Sequence, residues 1–189
     1  MTKVPVSDFE ARYRSDPDPW RFADCEYEQR RYEITMATMP HRRYRRAFEP
    51  GCATGELTHR LAERCDSVVA WDGSPTVVEH ARRRCAALAN AELDVGVVPD
   101  DWPTGHFDLV VLSEIGYYFD RCELARLATL AGETLEPGGT LLGVHWLGES
   151  ADHVLHGDEV HDVLFALEGV THGGAYRDAG FRLDWWDRT

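Results

Sequence analysis

Arg45-Arg46-Ala47-Phe48-Glu49-Pro50-Gly51-Cys52-Ala53-Thr54-Gly55, running on to Val68-Val69-Ala70-Trp71-Asp72, is the stretch whose reading decides the fold. It sets out a strand, a tight glycine turn, a helix, a second strand and a terminal acid. Gly51 lets the chain bend sharply and approach a ligand with no Cβ in the way, and Gly55 lets the next helix begin close against that ligand. The backbone amides of such a turn are expected to be free to donate. Asp72 lies about twenty residues past the turn, where a carboxylate can accept both hydroxyls of a ribose. The layout predicts a bound nucleoside-bearing cofactor.

Two details separate this loop from a dinucleotide fingerprint. The spacing is Glu49-x-Gly51-x-x-x-Gly55 instead of G-x-G-x-x-G, and an acid precedes the turn. A carboxylate repels a pyrophosphate but attracts a sulfonium and an α-amino group. The segment resembles the first motif of class I methyltransferases, and that resemblance implies S-adenosylmethionine as cofactor, with Ala53 and Gly73 beside the glycines and Asp72 in the binding set. Alternatively, it is a glycine turn in an ordinary parallel sheet.

At 189 residues the chain suits one domain, 1–189, with enough sequence to bury a full core and no Gly/Ser- or Pro-rich linker to divide it. The apolar runs Leu109–Leu112 and Thr140–Val144 have strand length, far short of a membrane span. The start, Met1 to Asp8, lacks the hydrophobic core of a signal peptide, so a cytoplasmic protein is expected. Five cysteines without a C-x-x-C pair read as reduced, buried thiols. A net charge of −13 argues against a nucleic-acid partner and favours a cationic small molecule. Arg42-Arg43-Tyr44-Arg45-Arg46 is a solvated connection or a phosphate patch.

The pattern alternates along the chain. A helix is expected over Tyr27–Met39, ended by Pro40, then a strand over Arg46–Glu49, a helix over Glu56–Arg64 and a strand over Ser67–Trp71. Ser74-Pro75 caps a helix running through Leu88. Strands follow at Glu92–Val97 and Phe107–Leu112, then a helix at Glu123–Thr134, with Pro137-Gly138-Gly139 turning into a strand at Thr140–Val144. Such alternation predicts a parallel sheet covered by helices. The last forty or so residues break the rhythm. A short helix at Asp158–Leu167 precedes a long-looped antiparallel pair, Val170–His172 and Phe181–Trp186.

A reversed last strand also closes the seven-stranded sheet of class I methyltransferases, so the whole chain resembles that α/β, Rossmann-like class, with helices on both faces. Further segments match in order. Pro99-Asp100-Asp101-Trp102 resembles the adenine-contacting segment, which gives Asp101 the exocyclic amine and Trp102 the ring face, unless this is only an acidic loop before Pro103. Phe107–Glu114 resembles the fourth-strand motif, adding Ser113 to the cofactor set. Ser113-Glu114-Ile115-Gly116-Tyr117-Tyr118 lacks the N/D-P-P-Y/F that grips a planar amide or adenine nitrogen, and no Pro-Cys nucleophile is present. Small-molecule acceptors remain.

Asp18-Pro19-Trp20-Arg21-Phe22, Tyr27-Glu28-Gln29-Arg30-Arg31-Tyr32 and the glycine loop resemble the nodulation protein S family of S-adenosylmethionine-dependent N-methyltransferases, whose founding members act on the free amine of a de-N-acetylated chitooligosaccharide. The resemblance implies that residues 1–40 form a helical cap or lid over a core at 45–189, with Trp20 and Tyr27 folding over the cofactor and Arg31 able to pair with its carboxylate. Otherwise Trp20 and Tyr27 simply cap the domain, and Arg31 is an exposed helix charge. The acceptor is then an amine, possibly sugar-like, with a small-molecule O-methyltransferase and a noncatalytic cofactor-binding protein as alternatives.

The sequence departs from the founding pattern at His145-Trp146-Leu147-Gly148 and Gly157-Asp158-Glu159-Val160-His161. His145 is expected just outside the carboxyl end of strand five, where ligands meet open α/β sheets; it accepts an amine proton, holds a hydroxyl, or is a buried core histidine. Glu114, Tyr117 and His145 are the candidates for acceptor orientation or proton transfer. His153, His156 and His161, among Asp152 and Asp158, match no recognised zinc signature, and no metal is expected.

Overall fold

The computed structural model describes residues 4–189. Of the opening segment, Met1, Thr2 and Lys3 lie outside the described residues. The chain divides into two compact units, Pro5–Val97 and Val98–Thr189, so the expected boundary between cap and core, at residues 40–45, falls inside the first.

The first unit carries α1 (Val6–Ser15), α2 (Glu26–Thr38), β1 (Tyr44–Pro50), α3 (Glu56–Arg64), β2 (Cys65–Asp72), α4 (Pro75–Arg84) and β3 (Ala91–Val95). The strands pair in parallel, β1 with β2 and β2 with β3, with Glu49 opposite Ala70 and Pro50 opposite Trp71. Ala47, Phe48, Val68 and Ala70 are fully buried, as expected of strands covered on two faces. On α3, Leu57, Thr58, Leu61 and Ala62 form the buried stripe, at the spacing of one helical face. Ser74 caps α4 by accepting from Val77 N, with Pro75 in the first turn. That helix stops at Arg84, before the expected Leu88, where Asn90 holds the connection by donating to the carbonyls of Ala62 and Cys65. Helix α1 was not anticipated. Its only buried side chain is Tyr13, so its apolar periodicity is weak.

The second unit carries β4 (Phe107–Ser113), a 3₁₀ turn (Gly116–Tyr118), α5 (Arg121–Thr134), β5 (Leu135–Trp146), α6 (Gly157–Phe165), β6 (Val170–Arg177) and β7 (Phe181–Arg188). Asp120 caps α5, accepting from the amides of Cys122 and Glu123. The Pro137-Gly138-Gly139 turn appears as a shift in the pairing of β4 with β5: Phe107 faces Leu135, whereas Leu109 faces Thr140. Gly138, at φ 77°, supplies the left-handed backbone this needs. Strand β6 continues through Gly173-Gly174 with a second register shift, so the last hairpin is longer and tighter than its sequence suggested. A Cβ on Gly174 would lie 2.2 Å from the Trp185 ring, which explains why glycine keeps the strand intact there.

Together the strands form a seven-stranded sheet ordered β3-β2-β1-β4-β5-β7-β6. β7 runs antiparallel to both β5 and β6. This is the mostly parallel sheet with a reversed last strand expected from the sequence. Cys52, Cys65 and Cys85 are buried free thiols as expected, Cys25 is half-buried, and Cys122 is exposed on α5. Among the described residues, no helix is long and apolar enough to cross a membrane.

Candidate active site

The glycine loop follows β1 directly. Gly51, Ala53 and Gly55 all have positive φ, at 74°, 47° and 80°. This winding turns the loop amides inward. Gly51 N and Cys52 N both donate to Trp71 O, at 2.7 and 3.0 Å, and Gly55 N donates to Cys52 O at 2.9 Å. Ala53 N donates to Asp72 Oδ2 at 3.1 Å. These four amides are therefore committed within the protein, correcting the expectation that they are free. The loop is not an anion cradle, and a pyrophosphate would find little to bind here. Gly55 also has another reason to be glycine. A Cβ there would lie 3.1 Å from Ala81 Cβ and 3.4 Å from Cys85 Sγ, so it permits packing of the α3 start against α4. At Gly73 a Cβ would lie 2.9 Å from Val6 of α1.

What the loop presents is a pair of acids whose ionisation a cationic ligand would favour. Glu49 is 3% exposed and accepts a 2.5 Å hydrogen bond from the Thr58 hydroxyl. Burial pushes its carboxyl up to about 8 against that hydrogen bond, and the charge of Asp72 adds to the rise. Asp72 accepts from Ser74 N at 2.9 Å and from Ala53 N. Burial again dominates, raising it to about 6 despite these amides. Neither acid has a cationic side chain among its partners in the described residues. A buried carboxyl at Glu49 and a half-buried one at Asp72, without a counter-ion, are costly to ionise, and a cationic ligand relieves that cost. Beside them, Thr54 Oγ1 is buried without a hydrogen-bond partner. Left-handed loop, unpaired acids and an orphan hydroxyl all fit a cationic nucleoside such as S-adenosylmethionine.

Trp20 packs in an aromatic cluster with Phe9, Tyr13 and Phe22, at centroid distances of 6.3, 5.5 and 5.7 Å. Tyr27 is half-buried in the first turn of α2. Arg31 is only 1% exposed, so it is no surface charge. It donates to Glu28 Oε2 through Nε at 3.2 Å and through Nη2, and its guanidinium lies 4.8 Å over the Tyr32 ring. Sequence reading also missed Glu10 of α1. Its carboxylate accepts from the hydroxyls of Ser74 at 2.6 Å and Thr76 at 2.7 Å, fastening α1 to the start of α4, one residue beyond Gly73. The Ser74 and Thr76 hydrogen bonds hold Glu10 down at about 2.

In the second unit, Asp101 is exposed and Trp102 half-buried in the loop before β4, and Ser113 ends that strand opposite Val144. Glu114 takes the left-handed conformation at φ 57°, which is strained for a residue with a Cβ. Its carboxylate is held at both oxygens: Oε1 accepts from Trp146 N at 2.7 Å and Oε2 from the Tyr117 hydroxyl at 2.8 Å. Tyr117 is buried, and its ring stacks on His153 at 3.8 Å. Glu114 and Tyr117 are thus hydrogen-bonded to each other.

His145 lies beside Tyr117, ring centroids 5.6 Å apart, but not as a free base. It lies within β5, fully buried, with Nε2 accepting from Gly116 N at 3.1 Å and Nδ1 at 3.2 Å from His161 Nε2. With both nitrogens engaged, it has no lone pair for an acceptor proton, and the buried core alternative holds. The other histidines scatter into separate duties: His156 caps α6 and His153 joins the aromatic stack. Among the described residues, no group of three or more His, Cys, Asp or Glu side chains is placed to hold a metal.

The profile of the family Nodulation protein S (NodS) matches residues 5–141. Nodulation protein S of Rhizobium tropici is 30% identical over 129 residues, covering 66% of this chain and 53% of that protein; the chain thus spans little more than half of that relative's length. A Pseudomonas syringae crystal structure, provisionally assigned as a methyltransferase, is 41% identical with a TM-score of 0.77, covering 86% of this chain and 99% of the other. N-methyltransferase NodS from Bradyrhizobium japonicum WM9, in complex with S-adenosyl-L-homocysteine, shares the fold at 21% identity and a TM-score of 0.85, covering 98% of this chain and 99% of the other. With more than half of its residues matched from the N-terminal helices through β4 and into β5, the chain belongs to the nodulation protein S family.

Proposed function

We infer that the chain is an S-adenosylmethionine-dependent methyltransferase that N-methylates the free amine of an amino-sugar or related small molecule. The observation that carries this reading is the Glu49–Asp72 pair, a buried and a half-buried carboxyl without a counter-ion at a glycine loop whose amides are turned inward. Family membership supports it, as does the S-adenosyl-L-homocysteine bound by the Bradyrhizobium protein. The cofactor set proposed is Trp20, Tyr27, Arg31, Glu49, Gly51, Ala53, Gly55, Asp72, Gly73, Asp101, Trp102 and Ser113. When bound, S-adenosylmethionine supplies an electrophilic methyl group on a sulfonium centre.

On this reading the protein contributes mainly position. Glu49 and Asp72 balance the ligand's positive charge, and Arg31 is the counter-ion for its carboxylate. The Glu114–Tyr117 pair orients the acceptor. An ammonium has no lone pair, so the amine must lose its proton before attack, to water or to the Glu114 carboxylate. We place this activity in a single domain, 1–189, with 1–40 as lid and 45–189 as core, in the cytoplasm.

The test is transfer of labelled methyl from S-adenosylmethionine to glucosamine-type amines, beside matched N-acetyl and hydroxyl analogues. Transfer to the free amines alone is expected. Transfer only to hydroxyl compounds makes it an O-methyltransferase, and cofactor binding without turnover on any acceptor makes it a binding protein.

A further inference from the structure

In the second unit a buried line of polar contacts runs from the backbone of the 3₁₀ turn to β7, two hydrogen bonds followed by an ion-pair contact in which His161 Nδ1 faces Asp184 without a well-aligned hydrogen bond. Gly116 N donates to His145 Nε2 at 3.1 Å, His145 Nδ1 lies 3.2 Å from His161 Nε2, and His161 Nδ1 lies 2.7 Å from Asp184 Oδ2. His145, His161 and Asp184 are 0, 0 and 1% exposed, so bulk water does not compete for these sites.

The two ends fix the direction of every link. An amide N–H only donates, so His145 Nε2 must carry the lone pair and its hydrogen sits on Nδ1. That hydrogen goes to His161 Nε2, which places the hydrogen of His161 on Nδ1, facing Asp184. An ionised carboxylate only accepts. Both ends therefore demand the same tautomer of both rings. Asp184 suits its place: burial raises its carboxyl, but His161 and Arg182 outweigh burial and hold it below the ordinary range. Arg182 Nε donates to Asp184 Oδ2 at 2.6 Å, and His172 Nε2 lies 2.9 Å from Oδ1. Burial lowers His161 more than Asp184 raises it, which favours the neutral ring.

The turn sits directly on this chain. A Cβ on Gly116 would lie 2.4 Å from Val160 Cγ1 and 2.9 Å from His145 Nε2, so only glycine lets the backbone reach the imidazole. The chain does not carry protons to an acceptor, because it ends on an amide.

We propose that Asp184 is a remote positioning residue: through His161 and His145 it sets the tautomer that holds the Gly116 amide, fixing the turn that seats Tyr117 against Glu114. The link to turnover rests on the reading of Glu114 and Tyr117 as the acceptor side. The link to the turn does not.

Long-range ¹H–¹⁵N spectra of the full chain should show both His145 and His161 protonated at Nδ1 at neutral pH, against the commoner Nε2 form. An Nε2–H form or an imidazolium at His145 in the unaltered protein overturns the proposal, whatever the variants do. Asp184→Asn retains an oxygen for His161 and can donate to His172, so it should keep the tautomers. Asp184→Leu removes the carboxylate that faces His161 Nδ1, and loss of that buried contact should speed Gly116 amide exchange about tenfold. In the proposed methyl-transfer assay kcat should fall about tenfold in the Leu variant and be rescued in the Asn variant, with affinity for S-adenosyl-L-homocysteine kept. Unchanged Gly116 exchange or unchanged kcat in Asp184→Leu overturns the positioning role. Absence of methyl transfer by the unaltered chain, with tautomers and exchange as expected, overturns the functional reading instead.

Discussion

Asp72 Oδ2 accepts a hydrogen bond from Ala53 N at 3.1 Å, while Oδ1 of the same carboxylate accepts from Ser74 N at 2.9 Å. The acid assigned to the ribose is therefore also the strut that shapes the glycine turn and the start of α4. Asp72→Ala removes both functions, and S-adenosyl-L-homocysteine binding should weaken by about 1–3 kcal/mol. Calorimetry measures this directly; an unchanged affinity rules Asp72 out of the binding set.

The raised carboxyls give binding a pH dependence of definite sign. A cationic ligand favours the ionised acids, so its binding expels protons held by Glu49 and Asp72 at about 8 and 6. S-adenosylmethionine affinity should rise with pH across that interval. Titrations in buffers of different ionisation enthalpy count the protons released, and Glu49→Gln should remove the upper step.

Without ligand, the same groups act on stability in the opposite sense. Their folded values lie above the ordinary carboxylate values of 4.5 and 3.8, so the folded state binds more protons than the unfolded state between those limits. Their contribution is complete below about 4 and is lost as pH rises through 6 and 8. Denaturant midpoints should fall over that range, and Glu49→Gln should flatten the fall.

The Trp20 cluster and the α2 residues Tyr27 and Arg31 make a second, dynamic prediction for the cofactor. Hydrogen exchange across residues 18–32 should slow when S-adenosyl-L-homocysteine is added. Equal protection in both states leaves the segment a permanent cap.

Tyr117→Phe removes only the hydroxyl that donates to Glu114 at 2.8 Å and keeps the ring stacked on His153. Turnover should fall at least about tenfold with cofactor affinity unchanged, the loss from one hydrogen bond to a charged group. Equal losses in both would place Tyr117 in the cofactor set.

Much of this was legible in the sequence because it is local. Glu49, the glycines and the acid that ends β2 lie on one continuous segment, and helix and strand periods are short-range patterns. The orientation of the loop amides was not legible, since Gly51 and Cys52 donate to Trp71, on the neighbouring strand. Thr58 was missed as the partner of Glu49 because it reads as an ordinary residue of the α3 stripe. His145 could be placed on β5 but not turned inward, because its partners at 116 and 161 come from two other elements. Glu10 escaped for the same reason, meeting Ser74 and Thr76 more than sixty positions later in the chain.

The reversed strand has a consequence for vectorial synthesis. Among the described residues, strand β6 lies at the sheet edge and pairs only with β7, yet it leaves the ribosome before β7. Until residues 181–188 emerge, β5 lacks the neighbour that β7 supplies, and β6 has nothing to hold it in the sheet. Phe181, Leu183 and Trp186, buried in the finished protein, are the plug for that gap. A nascent chain stalled at residue 180 therefore displays unsatisfied strand edges of the kind that pair with another chain.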